Sequence, residues 1–359
     1  MTARIRQELT IVGLLAIGVT LPVGCRGPVF GGDRRPRIIK PAALRPGDTI
    51  AIVAPAGPLE RERIELAARR LRELGFVVRL PADICRRRGY LAGDDHTRAA
   101  ELMAAFADPQ VRAIFPGTGG YGTTRILDLL DYGLIRRNPK VLIGFSDITA
   151  LHVAIHQRTG LVTFHSPVPM WGLGSRENLD PLAARYFWRA LRGPGPDEPA
   201  ADGAGYSLQA PPGSFRTIAG GVARGRLTGG NLSLLAALMG TPYEIQTDGA
   251  VLFLEDVGEE PYRIDRYLSQ LRLAGKLDHL AAVVLGRFSR CKPDEPERSL
   301  TLEQVFDDYF ADLGVPVLAG FPVGHVRQNV TLPYGVLVEV DADAGTLRVL
   351  EEPVLPAAH

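Results

Sequence analysis

KVLIGFSDITALHVAIHQ, residues 140–157, decides the architecture. Val141, Leu142, Ile143 and Phe145 make an apolar run of strand length, and Ile148, Leu151, His152, Ile155 and His156 follow at helical spacing. Ser146 therefore stands on a sharp strand-to-helix corner. A hydroxyl there is pushed clear of a sheet, and the first amides of the helix lack partners and can face an oxyanion. The same letters also suit an ordinary helix cap by Ser146 or Asp147. The hydrolase signature GxSxG is half present, because Gly144 stands two residues before Ser146 while Ile148 occupies the place of the second glycine.

Upstream of this corner, strand and helix patterns alternate. Residues 48–54 (DTIAIVA) read as a buried strand, 59–74 as a helix stopped by Gly75, 76–80 as a strand, 94–107 as a helix and 111–115 as a third strand. The alternation predicts an α/β, doubly wound parallel-sheet N-terminal domain over residues 39–168, with Ser146 at a carboxyl strand end, where ligands of such sheets collect. The loop PGTGGYG, residues 116–122, ends another strand. Through Gly117, Gly119 and Gly122 it matches the dinucleotide pattern GxGxxG. Yet it follows the third strand, and the acidic residue expected about 20 positions on is not clearly placed. Such a loop also brings amides close to a reacting carbonyl, so that Gly120 would share an oxyanion hole with Asp147; a tight turn asks for the same glycines. His152 and His156 lie four apart on one helix, but Val153 stands where the zinc motif HExxH needs glutamate, so packing is expected of both. His165 ends a further apolar run without an assigned role.

Downstream, residues 169–215 hold a helical stretch and then GPGPDEPAADGAG, a linker composition, leading to a β-rich α/β C-terminal domain over 216–355. The strand AVLFL, 250–254, ends in Glu255 and Asp256. A partly buried carboxylate at that place can orient an imidazole and stabilise its charged form, whereas a solvated acidic turn would do nothing. Residues 262–275 read as an amphipathic helix with Leu268, Leu271 and Leu273 inward. GFPVGHVRQN, 320–329, puts His325 in a glycine-flanked loop from which it can project into a cleft as a general base. Ser146, Glu255 and His325 thus supply the three roles of an acyl-transfer site, and are expected to meet across a groove between the two halves.

The chain's 359 residues leave room for two domains, and a formal charge of +1 gives no surplus for nucleic acid, favouring a small-molecule or peptide partner. Arg4 and Arg6 precede the apolar stretch 9–21 and the sequence LPVGC, the outline of a signal peptide over 1–25. The stretch falls short of the roughly 20 residues of a stable span. Gly24–Cys25 resembles a lipobox, with Pro22 a poor fit, so a lipid anchor at Cys25 is one expectation; residues 26–38 read as a tether. Cys85 and Cys291 are then too few for a disulfide framework, and no metal-like cluster is seen.

GGYG at 119–122, GFSDITALH at 144–152, GGNLSLL at 229–235, FLEDVGEEPYRIDR at 253–266 and GFPVGH at 320–325 together resemble the LD-carboxypeptidase (muramoyltetrapeptide carboxypeptidase) family of serine peptidases, which includes the microcin C immunity peptidase branch; the likeness covers about 40–350. It implies Ser146 as nucleophile, His325 as general base, Glu255 as the orienting carboxylate, and an oxyanion hole from the Gly120 and Asp147 amides. It further implies no metal or cofactor, a homodimer, and a murein-derived tetrapeptide substrate cut at its L-to-D bond to release D-alanine. Thr118 departs from the arginine many members carry before GGYG, which bears on selectivity. Many members that recycle murein are cytoplasmic, so residues 1–25 point instead to an exported, periplasmic or membrane-anchored protein. A non-catalytic cell-surface peptide- or sugar-binding protein and a nucleotide-dependent oxidoreductase are the competing readings.

Overall fold

The computed structural model describes residues 36–195 and 205–356; the segment read as a signal peptide, Cys25 and most of the tether lie outside the described residues. The alternation of the first half becomes β1 (Thr49–Val53), α1 (Arg61–Glu73), β2 (Val77–Arg79), α2 (Asp95–Ala107), β3 (Val111–Pro116), α3 (Tyr132–Arg137), β4 (Val141–Gly144), α4 (Thr149–Thr159) and β5 (Thr163–His165). α1 buries Ile64, Ala67, Ala68 and Leu71, a stripe at 3.6-residue spacing. α2 starts at Asp94, whose carboxylate accepts from the Thr97 amide. Residues 123–129 form a 3-10 helix. Thr123 is tied by its amide and its hydroxyl to Asp147, and Asp131 restarts the chain by capping α3.

The remainder is α5 (Pro181–Arg192), β6 (Tyr206–Gln209), β7 (Arg216–Ala219), β8 (Val222–Asn231), α6 (Leu232–Ala237), β9 (Ala250–Val257), α7 (Pro261–Leu273), β10 (Ala282–Ser289), α8 (Leu302–Phe310), β11 (Val317–Gly324), β12 (Leu332–Tyr334), β13 (Leu337–Asp341) and β14 (Thr346–Val349). The first sheet runs β12-β5-β4-β3-β1-β2. Its strands are parallel except β12, which comes from the second half and pairs antiparallel with β5. Strand order reverses between β1 and β3, so the loops leaving their carboxyl ends flank the crevice typical of doubly wound sheets. The Gly57 amide donates to the Gly119 carbonyl at 2.9 Å and joins those two loops.

The second sheet runs β6-β14-β13-β8-β9-β10-β11-β7. β8 to β11 form a parallel centre, with antiparallel strands on both sides. Residues 169–215 contain α5 and also β6, an edge strand of this sheet. Two local expectations are corrected. GFPVG belongs to β11 and is not loop, with His325 just past the strand's end. Leu273 is 84% exposed at the end of α7, while Leu268 and Leu271 are buried.

Candidate active site

The apolar run of β4 delivers Ser146 to its carboxyl end with φ of 61°, a left-handed conformation that few non-glycine residues adopt. Such strain persists only where its surroundings hold it, and it is the conformation of a nucleophile on a sharp turn. Neither Ser146 nor Asp147 caps the helix behind it. The Asp147 carboxylate instead accepts from the Thr123 amide at 2.8 Å, and the Thr123 hydroxyl donates to the Asp147 carbonyl at 2.6 Å. This clips the corner to the segment after GGYG. Burial pushes the Asp147 carboxyl above its ordinary range, against the bonds from Thr123.

The GGYG loop presses on the corner from the other side. A Cβ added to Gly119 would lie 3.0 Å from Ser146 Cβ, 3.2 Å from its Oγ and 3.3 Å from the Asp147 amide nitrogen, so a side chain there would push against the corner. Gly120 follows with φ of 101°. The amides of Gly120 and Asp147 therefore belong to two segments in contact beside the hydroxyl. Asp147 stands in the first turn, where amides have no partner within the helix. The sequence gives little notice of the residue bracing this loop. Arg98, fully buried on α2, donates to the carbonyls of Pro55 and Gly122 and pairs with Asp95. Its one signal is an arginine on the inward stripe of an amphipathic helix.

Glu255 lies inside β9 and is fully buried, which rules out a solvated turn. His325 Nδ1 donates to Glu255 Oε2 at 2.7 Å, and the histidine side chain is 21% exposed. Strand β10 runs between β9 and β11, so this pair reaches across an intervening strand. Room for it comes from glycine: a Cβ on Gly324 would sit 2.8 Å from Glu255 Oε2, and one on Gly286 of β10 would sit 3.3 Å from Glu255 Cβ. The loop after β11 is held by Asn329, which accepts from the Gly324 amide, and by Ser289, which donates to the His325 carbonyl.

Phe145 joins the two halves. Its ring centroid is 4.7 Å from that of His325, so the imidazole stands against the residue preceding Ser146. The structure thus brings His325 and Glu255 into direct contact and sets both beside the Ser146 corner. Among the described residues, no hydrogen bond within 3.5 Å joins Ser146 Oγ to the imidazole. Catalytic hydrogen bonds are often long without substrate and tighten in the reacting complex. The rim carries Tyr121, edge-on to Tyr90 at 5.6 Å, and Trp171, whose indole donates to Thr118 Oγ1 at 3.0 Å; all three rings are exposed.

His152, His156 and His165 pack inside the fold. His152 Nε2 meets the Gly144 carbonyl at 2.9 Å and His156 Nδ1 the Leu161 carbonyl at 3.1 Å, and burial pushes both down to about 4. His165 is fully buried between Phe145 and Phe253, and burial holds it well below its ordinary value. Asp256, beside Glu255, is pushed up to about 6 by burial and accepts from Asn231 and the Ser233 amide. Among the described residues no group of three or more His, Cys, Asp or Glu is arranged to hold a metal ion, and no helix is long and apolar enough to cross a membrane.

This geometry coincides with matches to known proteins. Residues 50–166 match the model of the LD-carboxypeptidase N-terminal domain and residues 224–340 that of the LD-carboxypeptidase C-terminal domain. A probable murein peptide carboxypeptidase of Bacillus subtilis is 42% identical over 82% of this chain and 89% of its own length. The murein tetrapeptide carboxypeptidase of Pseudomonas aeruginosa is 35% identical over 80% and 91%. The solved structure of the microcin C7 self-immunity protein, known from Escherichia coli, superposes with a TM-score of 0.80 at 25% identity, covering 88% of this chain and all of that one. A strained serine between two amide-bearing segments, next to the Phe145 ring that packs on a histidine held by a buried carboxylate, suits a hydrolase of amide bonds, and with both domain models matched the chain belongs to the LD-carboxypeptidase family of peptidases.

Proposed function

We propose that the chain is a serine carboxypeptidase that hydrolyses the L-to-D amide bond of murein tetrapeptides and releases the terminal D-alanine. The observation that carries this reading is the 2.7 Å bond between His325 Nδ1 and the fully buried Glu255, set against Phe145 beside the strained Ser146. Glu255 accepts from Nδ1–H, so Nε2 carries the lone pair. Nε2 takes the Ser146 proton as Oγ attacks the scissile carbonyl, and the Gly120 and Asp147 amides receive the developing oxyanion. His325 then gives that proton to the nitrogen of the departing D-alanine, leaving the tripeptide as an ester on Ser146. Water, deprotonated by the same imidazole, cleaves the ester and restores the hydroxyl. Two relatives bear names for murein peptide cleavage, which supports the substrate class.

The similar microcin C7 self-immunity protein has been solved with aspartyl sulfamoyl adenosine, which supports a second substrate for the same machinery, an aminoacyl or peptidyl nucleotide. Incubation with defined tri-, tetra- and pentapeptide stems and with an aminoacyl sulfamoyl nucleotide, followed by mass spectrometry, separates the two. D-alanine leaving the tetrapeptide alone is expected; nucleotide cleavage with untouched stems would replace the first reading by the second. Residues 1–25 support work outside the inner membrane, and fractionation with globomycin-sensitive processing as the readout tests attachment at Cys25.

A further inference from the structure

A carboxypeptidase must tell a chain end from an internal bond, and the difference is one carboxylate. In the reaction proposed above, on which this inference rests, the departing nitrogen is protonated by His325, and the terminal carboxylate is attached to the carbon next to that nitrogen. The group reading it therefore belongs on the His325 side of the cleft, away from the Gly120 and Asp147 amides. Several cations flank the rim segments: Arg70 is bonded to the Leu173 carbonyl and Arg125 is paired with Asp95. Arg63 is occupied, bonded to Glu60 at 2.8 Å and stacked 4.4 Å over Trp171. Arg327 is two residues beyond His325, on the same loop.

The partner of Arg327 is Glu177, at 3.8 Å, with side chains 66% and 59% exposed. That separation is beyond hydrogen-bonding distance, and such a solvated pair is worth little. Glu177 itself sits on a braced segment. Arg70 donates to the carbonyls of Leu173, Ser175 and Arg176, and Trp171 is bonded to Thr118 beside the GGYG loop. Arg327 and Glu177 thus close a ring around the cleft, running from GGYG through Trp171 and Glu177 to the histidine loop and back through Phe145 to Ser146. A guanidinium loosely paired to an exposed carboxylate, two residues along the chain from the general acid, is a site where a substrate carboxylate can exchange for a protein one with two parallel hydrogen bonds.

We infer that Arg327 binds the free carboxylate of the substrate's terminal residue, with Glu177 as the placeholder it leaves. The test compares kcat/KM for a tetrapeptide stem ending in D-alanine with that for the same stem ending in D-alaninamide. Wild type should prefer the free acid by about 10- to 100-fold, the range of a charged hydrogen-bonded pair. Arg327→Ala should lose that preference through the acid alone, with the amide changing less than threefold. Arg327→Lys should keep part of it, since a point charge lacks the planar fork. Glu177→Gln should lower KM for the acid by removing the competitor. An Arg327→Ala enzyme that still prefers the acid as wild type does, or that loses equally on both substrates, overturns the assignment. Wild-type protein that cleaves neither stem overturns the carboxypeptidase reading itself, a distinct result.

Discussion

Glu255→Gln keeps the size of the side chain and removes its charge at the one position where the site has no slack. Oε2 accepts from His325 Nδ1 at 2.7 Å, while Oε1 is buried without a hydrogen-bond partner among the described residues. A glutamine has two ways to sit. With its oxygen toward the imidazole, its NH2 occupies the Oε1 position, where no acceptor waits, and stability falls by about 1–3 kcal/mol. With its NH2 toward the imidazole, it donates to Nδ1 and forces the proton onto Nε2, the atom that must accept from Ser146. The second arrangement satisfies the amide and is the one expected. An equivalent change in an unrelated Ser-His-Asp triad lowers turnover by about 10⁴. The loss expected here is about 10³- to 10⁴-fold in kcat/KM, or about 4–5.5 kcal/mol of transition-state stabilisation. A coupled D-amino acid oxidase assay on the tetrapeptide stem measures it, with thermal unfolding followed alongside. A variant that unfolds like wild type yet keeps kcat/KM within tenfold would refute the reasoning that Glu255 sets the tautomer.

Further outcomes follow from the same coordinates. Ser146→Gly should raise unfolding free energy by about 1 kcal/mol by relieving the left-handed φ of 61°, and Ser146→Ala should not, because alanine keeps the strain; equal stabilities by urea titration would speak against it. Gly119→Ala, whose methyl would meet Ser146 Cβ at 3.0 Å, should shift the hydroxyl and lower kcat by about 100-fold, and unchanged kcat would show that the loop yields freely. His152 and His156 are buried neutral with pKa values depressed to about 4, so the unfolded state binds more protons than the folded one between that value and 6.5. The stability they contribute is complete above pH 6.5 and is lost as pH falls toward 4, at about 1.4 kcal/mol per pH unit for each histidine. Urea unfolding at pH 7 and pH 5 should show that drop, and His152→Gln should flatten it.

The Ser146 corner was legible because its signals are local: four apolar residues, a serine, then helical spacing, with GGYG ending the strand that pairs beside β4. The parallel first sheet followed from alternation for the same reason. Glu255 was legible only as an acid after an apolar run. Its burial depends on Gly286 and Gly324, which lie on two other strands and carry no local mark of their purpose. Glycine and proline in GFPVG read as loop, yet the irregular pairing of β10 with β11 absorbs them into the sheet. β12 is three residues long and pairs with a strand over 160 positions earlier, a contact that neither periodicity nor composition announces. Leu273 failed because an inward stripe predicts burial only where a neighbour covers it, and the last residue of α7 has none.

Catalysis by this route passes through a covalent bond at Ser146. Mixing the protein with the tetrapeptide stem, quenching in acid within milliseconds and recording intact mass and peptide maps should reveal the stem tripeptide esterified to Ser146. The adduct should be absent from Ser146→Ala, and should be slowed in forming and clearing in His325→Ala. D-alanine released at full rate by Ser146→Ala, or an adduct mapping to another residue, would contradict it.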